Sequence, residues 1–324
     1  YSSLVPMLEE MANLATALRE KRMARGAIDF ALPEVKITLD EDGKVSEIER
    51  RPRTIAESII EEFMLVCNET VAEHFSRLEL PFIYRIHERP DEEKMLQFRD
   101  FVHNLGFSLK GKPGKIHPHA LQELLRTVAG RPEERVVNTL LLRAMKQAKY
   151  STDDAPHFGL AARHYTHFTS PIRRYPDLVI HRLLREYQQG IPGQKRLARI
   201  AKYNSLAAEQ ASLTERIAME AERESEDVKK IEYMENKIGQ VFPAIISGVT
   251  SFGLFAELDN LVEGLIHVSS MDDDYYHYHE DKLALIGERT GKTYRIGKPV
   301  RVMVKRASKE DRQMDFVLVD TEND

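Results

Sequence analysis

The sequence predicts an α+β protein in which a helix-rich domain over residues 1–237 is followed by a small five-stranded β-barrel over residues 238–324. Two observations predict this order. Through most of the first part, apolar residues recur every three or four positions, as on one face of an α-helix. From Gly239 onward the period shortens to two, and glycines separate short apolar segments, as in a closed barrel. The length of 324 residues and the hydrophobic content of 42% are sufficient for two such cores.

The first elements follow from spacing and turn residues. The chain opens on Tyr1 and runs directly into a predicted amphipathic helix, with apolar residues on one face: Leu4, Leu8, Met11, Ala15 and Leu18. A β-hairpin with its turn at residues 40–43 is predicted next. Thr54 and Glu57 have the spacing of a capping box, which predicts the start of a long helix. The core face of that helix is predicted to contain Ile55, Ile59, Phe63, Val66 and Phe75.

Shorter elements are predicted through the rest of the first domain. In chain order they are a strand at 82–86, a helix at 91–105, a basic loop at 110–115, two helices of which the second runs from about 132 to 150, a turn at 190–193, and helices at 194–206 and 207–236. The last segment contains no Gly or Pro. It is therefore predicted to be one uninterrupted helix that leads into the barrel.

The barrel is predicted from alternating apolar segments after Ile238. They are residues 241–246, 247–257, 262–267, 299–304 and 314–319. Short strands with glycines at their bends, in a segment of this size, favour a closed barrel of the OB type.

The charge is unevenly distributed along the chain. The net charge is −5, yet residues 160–203 contain nine Lys or Arg against two Asp or Glu, and residues 282–312 contain ten against three. Residues 257–281 carry eight acidic residues and no Lys or Arg. The two basic stretches suit a phosphate backbone, but such stretches are more often solvated faces, so charge alone does not decide the ligand.

The compartment is predicted from cysteine usage and hydropathy. Cys67 is the only cysteine, so no internal disulfide forms, and a cytoplasmic location is expected. No apolar run approaches the roughly 20 residues needed to cross a bilayer. Neither a membrane association nor a secretory signal is therefore expected. The oligomeric state does not follow from the sequence.

Residues 163–178 form the most informative stretch, because aromatic rings alternate there with His, Arg and hydroxyl side chains. Ser170 followed by Pro171 predicts a helix start, which places Arg173 and Arg174 in the first turn. Free backbone amides, the helix dipole and two guanidinium groups together suit a phosphate. The stretch therefore predicts a polyanionic ligand, although an isolated Ser-Pro-x-Arg-Arg is equally typical of an ordinary basic helix start.

Longer strings carry a family resemblance. Thr-Ser-Pro-Ile-Arg-Arg-Tyr-Pro-Asp-Leu at 169–178, preceded by His-Phe-Gly-Leu at 157–160, resembles the signature of the bacterial ribonuclease II and ribonuclease R family. Gly-Val-Thr-x-Phe-Gly-Leu-Phe at 248–255 and Gly-Leu-Ile-His at 264–267 resemble the S1 RNA-binding module that ends those enzymes. The chain thus resembles the second half of an RNB-type catalytic domain followed by an S1-type OB-fold barrel.

The resemblance implies a processive 3′-to-5′ exoribonuclease that degrades single-stranded RNA to nucleoside 5′-monophosphates with Mg²⁺. It implies that Arg173 grips the phosphate near the scissile bond, that Glu61 lies near the ribose of the terminal nucleotides, and that Glu222 lines the end of the RNA channel.

The metal site that the resemblance implies has no counterpart in this sequence. The family's cluster of four metal-binding aspartates is missing, since Asp153 and Asp154 stand alone in a loop. The metal ligands are therefore expected upstream of Tyr1. The chain alone is predicted to be inactive, with single-stranded RNA and the upstream half of the same enzyme as its partners.

Further RNA contacts are expected from flat and cationic side chains: Tyr165, His167, Arg174, Phe252, Phe255, His267, Lys305, Arg306 and Arg312. Residues 252 and 255 would point to opposite faces of an unbroken strand, which leaves open that one of them is core. The three aspartates at 272–274 are expected to lie in a peripheral loop and to hold no metal. The alternative function is a non-catalytic single-stranded RNA-binding protein that uses the same channel and barrel.

Overall fold

The computed structural model describes residues 1–30, 34–51, 53–111, 116–131 and 133–319, with the backbone alone at Asp281. The first part of the chain combines seven helices with two small antiparallel sheets, β1–β2 and β3–β4, within these described residues. In chain order the elements are α1 (Val5–Arg25), β1 (Glu34–Leu39), β2 (Val45–Arg51), α2 (Ile55–Leu78), β3 (Tyr84–Ile86), α3 (Glu92–Asn104), α4 (Pro118–Val128), α5 (Glu134–Ala144), β4 (Lys149–Ser151), α6 (Tyr175–Gln188) and α7 (Gln194–Glu235).

The second part is a closed barrel with the strand order β11-β12-β7-β6-β5, and a separate three-stranded sheet, β10-β9-β8, is inserted between β7 and β11. The strands are β5 (Val241–Thr250), β6 (Gly253–Leu258), β7 (Glu263–His267), β8 (Tyr276–His279), β9 (Ala284–Gly287), β10 (Thr293–Arg295), β11 (Pro299–Ser308) and β12 (Gln313–Leu318). The five-stranded barrel predicted from the sequence is therefore confirmed, whereas the inserted sheet was not predicted. The expected break after residue 246 was wrong, because β5 continues to Thr250 and turns at residues 251–252.

Helix α2 begins where the capping box predicts. The Thr54 backbone N–H donates to Glu57 Oε2 at 2.8 Å, and the reciprocal side-chain bond is also present. Ile59 and Phe75 are buried, as expected for its core face, whereas Ile55 is 60% exposed. The helix runs on for 24 residues, long enough to form one wall of the site described below.

Helix α1 buries only the second half of its predicted apolar face. Ala15 is buried, and Met11 and Leu18 are partly buried, but Leu4 and Leu8 are 44% and 47% exposed. The buried part packs on α2. The two helices are joined there by an ion pair between Arg22 and Glu62, both almost fully buried.

Two predicted helices have different bounds because tertiary contacts outweigh local periodicity. The helix expected from about 132 to 150 ends at Ala144, and residues 149–151 pair with β3 as strand β4 instead. The helices expected at 194–206 and 207–236 are one helix of 42 residues, α7. Ala207, Ala208 and Ala211 are buried at the expected junction, where they belong to the same apolar cluster as β3 and β4. The predicted basic loop at 110–115 lies largely outside the described residues.

The hairpin β1–β2 connects the two parts of the chain. Ile48 of β2 is buried in the barrel core together with Ile231 and Met234 from the end of α7. Arg50 Nε donates to the Asp259 carbonyl oxygen at 2.6 Å. The hairpin thus contacts the barrel on one side, and its end at Arg51 reaches the site described next.

Of the three aspartates at 272–274, Asp273 and Asp274 stabilise the inserted sheet. Asp273 accepts from the Tyr276 hydroxyl at 3.1 Å and pairs with Lys292 at 3.0 Å. Asp274 accepts from the backbone N–H groups of Arg289 and Thr290. These bonds give the carboxylates a structural role in holding the β9–β10 turn. None of the helices in the described part of the chain combines the length and apolar character needed to cross a membrane.

Candidate nucleic-acid interface

The segment from Ser170 to Arg174 is a turn rather than the predicted helix start. Helix α6 begins at Tyr175, with Arg174 in an extended conformation before it. The Ser170 carbonyl oxygen accepts from the Arg174 backbone N–H at 3.0 Å. A helix running on from Pro171 would place Pro176 in its interior, where proline lacks the N–H and clashes with the preceding turn. In the observed arrangement Pro176 occupies the first turn of α6, where no hydrogen bond is lost.

Asp177 holds this turn in place. Its side chain is fully buried, and Oδ1 accepts from the Ser170 backbone N–H at 2.8 Å and from Arg174 Nη2 at 2.7 Å. Arg174 is thereby directed inward and neutralised. Arg173 is exposed, and no hydrogen bond or ion pair engages its guanidinium group within the described residues. The two adjacent arginines therefore differ in availability, and only Arg173 is free to bind an anion.

The α2 cavity, as we name it, lies between this turn and the N-terminal half of α2 and has a volume of about 1120 Å³. Its polar lining comprises Asp29, Glu34, Arg51, Arg53, Glu57, Glu61, Asn68, Tyr165, Thr169, Arg173 and Arg174. The structure thus brings together four residues that the sequence singled out, namely Glu61, Tyr165, Arg173 and Arg174. Asn68, Arg53 and Thr169 were missed, because nothing in local spacing distinguishes them.

The charges of the α2 cavity are segregated. On the hairpin and α2 side, Arg51 pairs with Glu57 at 2.5 Å, and Arg53 pairs with Glu61 and lies 3.6 Å from Asp29. The wall formed by residues 165–174 contributes two arginines and no carboxylate to the lining. The positive potential is therefore greatest beside Arg173.

Three of the four carboxylates that line the α2 cavity are poorly suited to a magnesium site. Asp29, Glu57 and Glu61 each face an arginine, and a guanidinium group competes with a cation for the carboxylate oxygens. Among the residues that the structure describes, no group of three or more His, Cys, Asp or Glu side chains is arranged to hold a metal ion.

Tyr1, upstream of which the metal-binding aspartates are expected, has no part in this site. Its side chain is fully exposed, and it does not line the α2 cavity. A short 3₁₀ turn at Ser2–Leu4 connects it to α1. That the metal ligands precede Tyr1 stays a prediction.

His167 lies beside Tyr165 and is not among the residues that line the α2 cavity. Its Nδ1 shares a hydrogen bond with the Tyr150 hydroxyl at 2.8 Å, and its ring meets Tyr165 edge to face at 5.8 Å. Burial, with a further contribution from Arg174, lowers the pKa of His167 to about 2, so the ring is neutral at physiological pH. Its position favours support of Tyr165 over direct contact with a phosphate.

Glu222 is exposed on α7 and does not line the α2 cavity. The structure therefore does not group it with Glu61 and Arg173. Its role at the end of a channel stays a prediction.

A second concavity, which we call the barrel cleft, lies between the barrel and the end of α7 and has a volume of about 960 Å³. Five predicted residues line it: Phe255, His267, Lys305, Arg306 and Arg312. Helix α7 adds Arg223 and Lys230, which the sequence analysis assigned only to a connecting helix. The barrel cleft therefore combines flat rings with cations contributed by both parts of the chain.

Phe252 and Phe255 are neighbours, so the opposite-face alternative for an unbroken strand does not apply to them. Phe252 lies in the β5–β6 turn, outside the strand, and is 47% exposed. Its ring centroid is 6.1 Å from that of Phe255 at 89°. The alternation rule fails here because it applies only within a continuous strand.

The cations of the barrel cleft differ in their partners. Arg306 is held by Asp311 and by Gln313 Oε1 at 2.9 Å, and Arg312 pairs with Glu224 of α7 at 2.9 Å. Lys305 makes no hydrogen bond or ion pair in the described part of the chain. It is the counterpart of Arg173, a cation free to meet a phosphate.

Comparison with known proteins places these features in a family. The family model "RNB domain" matches residues 2–190, and the model "S1 RNA binding domain" matches residues 235–318. The chain is 45% identical over its whole length to Ribonuclease R 1 of Lactococcus lactis and 45% identical to Ribonuclease R of Thermotoga maritima. It spans 40% and 46% of the length of these relatives, respectively.

A solved structure shows the same arrangement. The structure described as Mycoplasma genitalium RNase R in complex with ribose methylated single-stranded RNA matches 98% of this chain and 50% of that chain, with a TM-score of 0.91 and 29% sequence identity. The resemblance drawn from the strings at 157–178 and 248–267 is confirmed by these matches. The chain belongs to the RNB family, and an S1 RNA-binding domain follows its RNB region.

Proposed function

We propose that the chain is the RNA-holding part of a processive 3′-to-5′ exoribonuclease that degrades single-stranded RNA to nucleoside 5′-monophosphates. One observation carries this proposal: the guanidinium group of Arg173 is unpaired at the positive wall of the α2 cavity. Asp177 pairs with Arg174, so Arg173 remains available. The relatives named ribonuclease R and the solved complex with single-stranded RNA support RNA as the ligand.

In this proposal Arg173 binds the phosphate near the scissile bond and stabilises the charge that develops there. Glu61 accepts hydrogen bonds from the ribose of the terminal nucleotides, and Tyr165 and Arg174 complete the wall. Glu222 contacts RNA farther along α7. The division of the chain into an RNB-type region over 1–237 and an S1 domain over 238–324 is part of the same proposal.

The barrel cleft is proposed to hold RNA upstream of the cleavage site. Phe255 and His267 within the cleft, and Phe252 beside Phe255 at its edge, offer flat faces for base stacking. Lys305, Arg306 and Arg312 bind phosphates. Neither contact reads base edges, so binding is expected to be independent of base sequence.

Dependence on Mg²⁺ is proposed for the full-length enzyme. Since the chain spans less than half the length of its relatives, we propose that the magnesium ligands belong to the remainder of that length, upstream of Tyr1. The upstream half of the same enzyme is then the partner of this chain, and its location is proposed to be cytoplasmic.

The test uses the 324-residue chain with a uniformly labelled single-stranded RNA, so that nucleotides released from the 3′ end are detected. Binding is expected to weaken steeply as salt is raised, because phosphate contacts release counterions. No mononucleotide release is expected with Mg²⁺ or Mn²⁺, and addition of the upstream half in trans is expected to produce it. Salt-sensitive binding with no cleavage even in the presence of that half would favour the alternative, a non-catalytic RNA-binding protein. Failure to bind RNA would contradict both.

A further inference from the structure

Asn68 has an amide whose orientation is determined by a backbone group. The side chain is 3% exposed, and Oδ1 accepts from the Phe168 backbone N–H at 2.9 Å. A backbone N–H can only donate, so the amide oxygen must face Phe168. The amide nitrogen then faces the Tyr165 hydroxyl, at 3.1 Å. The two ends of Asn68 are therefore assigned without ambiguity.

This orientation determines the direction of the Tyr165 hydroxyl. An amide NH₂ group only donates, so the hydroxyl oxygen accepts from Asn68 and its own proton is left for another partner. Within the described residues that proton has no acceptor. Burial raises the pKa of Tyr165, so the hydroxyl keeps its proton. Tyr165 also lines the α2 cavity.

A second donor on the same wall lacks a partner. Thr169 Oγ1 is buried and makes no hydrogen bond within the described part of the chain, and Thr169 lines the α2 cavity as well. Arg173 adds an unpaired guanidinium group to this wall. Leaving a buried polar group unsatisfied is unfavourable, so this wall is complementary to a ligand rich in acceptor oxygens. Because the wall carries no lining carboxylate, a negatively charged oxygen suits it best.

We propose that Tyr165, oriented by Asn68, donates a hydrogen bond to a phosphate oxygen of RNA in the α2 cavity. Tyr165 is the binding residue, and Asn68 is a positioning residue that acts through it. This inference rests on the proposed function and deepens it, since it assigns one donor to one class of RNA oxygen.

Two substitutions test the direction of the bond. Tyr165→Phe removes only the hydroxyl. Asn68→Asp is nearly isosteric, but its carboxylate accepts the Tyr165 proton and so draws it away from the cavity. Each is expected to weaken binding of a labelled single-stranded RNA by about tenfold, and the double variant by no more than either alone. Tyr187→Phe is the matched control, because its hydroxyl donates to the Pro81 carbonyl oxygen within the core, and it is expected to bind RNA as the wild type does.

A second measurement separates positioning from a merely structural role. At one position of the RNA at a time, the phosphodiester is replaced by an uncharged methylphosphonate on a 2′-deoxy nucleotide. An RNA with an ordinary phosphodiester on the same 2′-deoxy nucleotide is the control at each position. One linkage is expected to weaken binding by the wild type yet leave the Tyr165→Phe and Asn68→Asp variants unaffected. A structural defect would instead weaken binding of every RNA alike.

The outcomes distinguish this inference from the function on which it rests. Wild-type binding by the Tyr165→Phe variant overturns the inference and leaves the proposed function intact. A loss in the 2′-deoxy control that the wild type shows and the Tyr165→Phe variant does not would assign the bond to a ribose hydroxyl and overturn the phosphate assignment. Absence of RNA binding by the wild-type chain would overturn the function as well. Should Asn68→Asp fail to fold, Tyr165→Phe with the same series of RNAs decides alone.

Discussion

Arg22 of α1 and Glu62 of α2 form a buried ion pair in which two nitrogens of one guanidinium group meet two oxygens of one carboxylate, at 3.1 Å and 2.5 Å. Their side chains are 6% and 3% exposed. Adjacent glutamates on a helix are usually both exposed, but of this pair only Glu61 is exposed. Residue 62 points between the helices, whereas residue 61 points into the α2 cavity.

We predict that Glu62→Ala destabilises the chain by about 3–5 kcal/mol, because it leaves a buried guanidinium group without its partner. Glu61→Ala is the matched control and should cost at most about 1 kcal/mol, since its pair with Arg53 is largely exposed. Urea unfolding of both variants measures the difference. Equal losses for the two variants would contradict the assignment.

We predict that Arg173→Ala, made in a full-length protein that contains these residues, lowers the single-turnover cleavage rate far more than RNA affinity. Losing one donor that stabilises developing charge typically costs about 3–4 kcal/mol in the barrier. RNA affinity is spread over many other phosphate contacts. Arg185→Ala, an exposed arginine of α6 outside the α2 cavity, is the control. A cleavage rate within about threefold of wild type, under 1 kcal/mol, would remove Arg173 from catalysis.

We predict that replacing Phe255 and His267 by Ala weakens binding of single-stranded RNA, because both line the barrel cleft. Each stacked base contributes about 1–3 kcal/mol, so a loss of at least about fivefold is expected, and it should be the same for RNAs of different sequence. Tyr275→Ala is the control, since this aromatic residue is 70% exposed on the inserted part of the domain and outside the cleft. An unchanged titration curve for the double variant would place the RNA face elsewhere.

We predict that the free energy of unfolding falls as the pH decreases below about 6.5, partly because of His157 and His167. Burial lowers their pKa values to about 3 and about 2, from 6.5, so each ring gains a proton only on unfolding. The stability that depends on their neutral forms is present above pH 6.5 and is lost as the pH falls, by up to about 1.4 kcal/mol per pH unit for each ring.

Urea unfolding at pH 7.0 and pH 5.5 measures this loss. His167→Gln should reduce the difference between the two pH values by about 1 kcal/mol, since one titrating ring is removed. His103→Gln, at an exposed position of α3, should leave the difference unchanged. An unaltered difference in the His167 variant would show that this ring does not titrate on unfolding.

The sequence by itself determined the features that depend on neighbours along the chain. The capping box at Thr54 and Glu57 is a local hydrogen-bond exchange, and the barrel strands follow from alternation over a few residues. The strings at 157–178 and 248–267 identified the family for the same reason, because each is one contiguous stretch of the sequence.

The tertiary structure decided the features that join distant residues. Strand β4 replaces the end of a predicted helix because residues 149–151 find partners in β3. Asn68 and Tyr165 are separated by 97 positions, and no period or spacing connects them. The sequence also treated Arg173 and Arg174 alike, as two cations in one helical turn. Only the folded chain distinguishes them, because burial of Asp177 requires a compensating charge, Arg174 supplies it, and Arg173 is left free to bind the ligand.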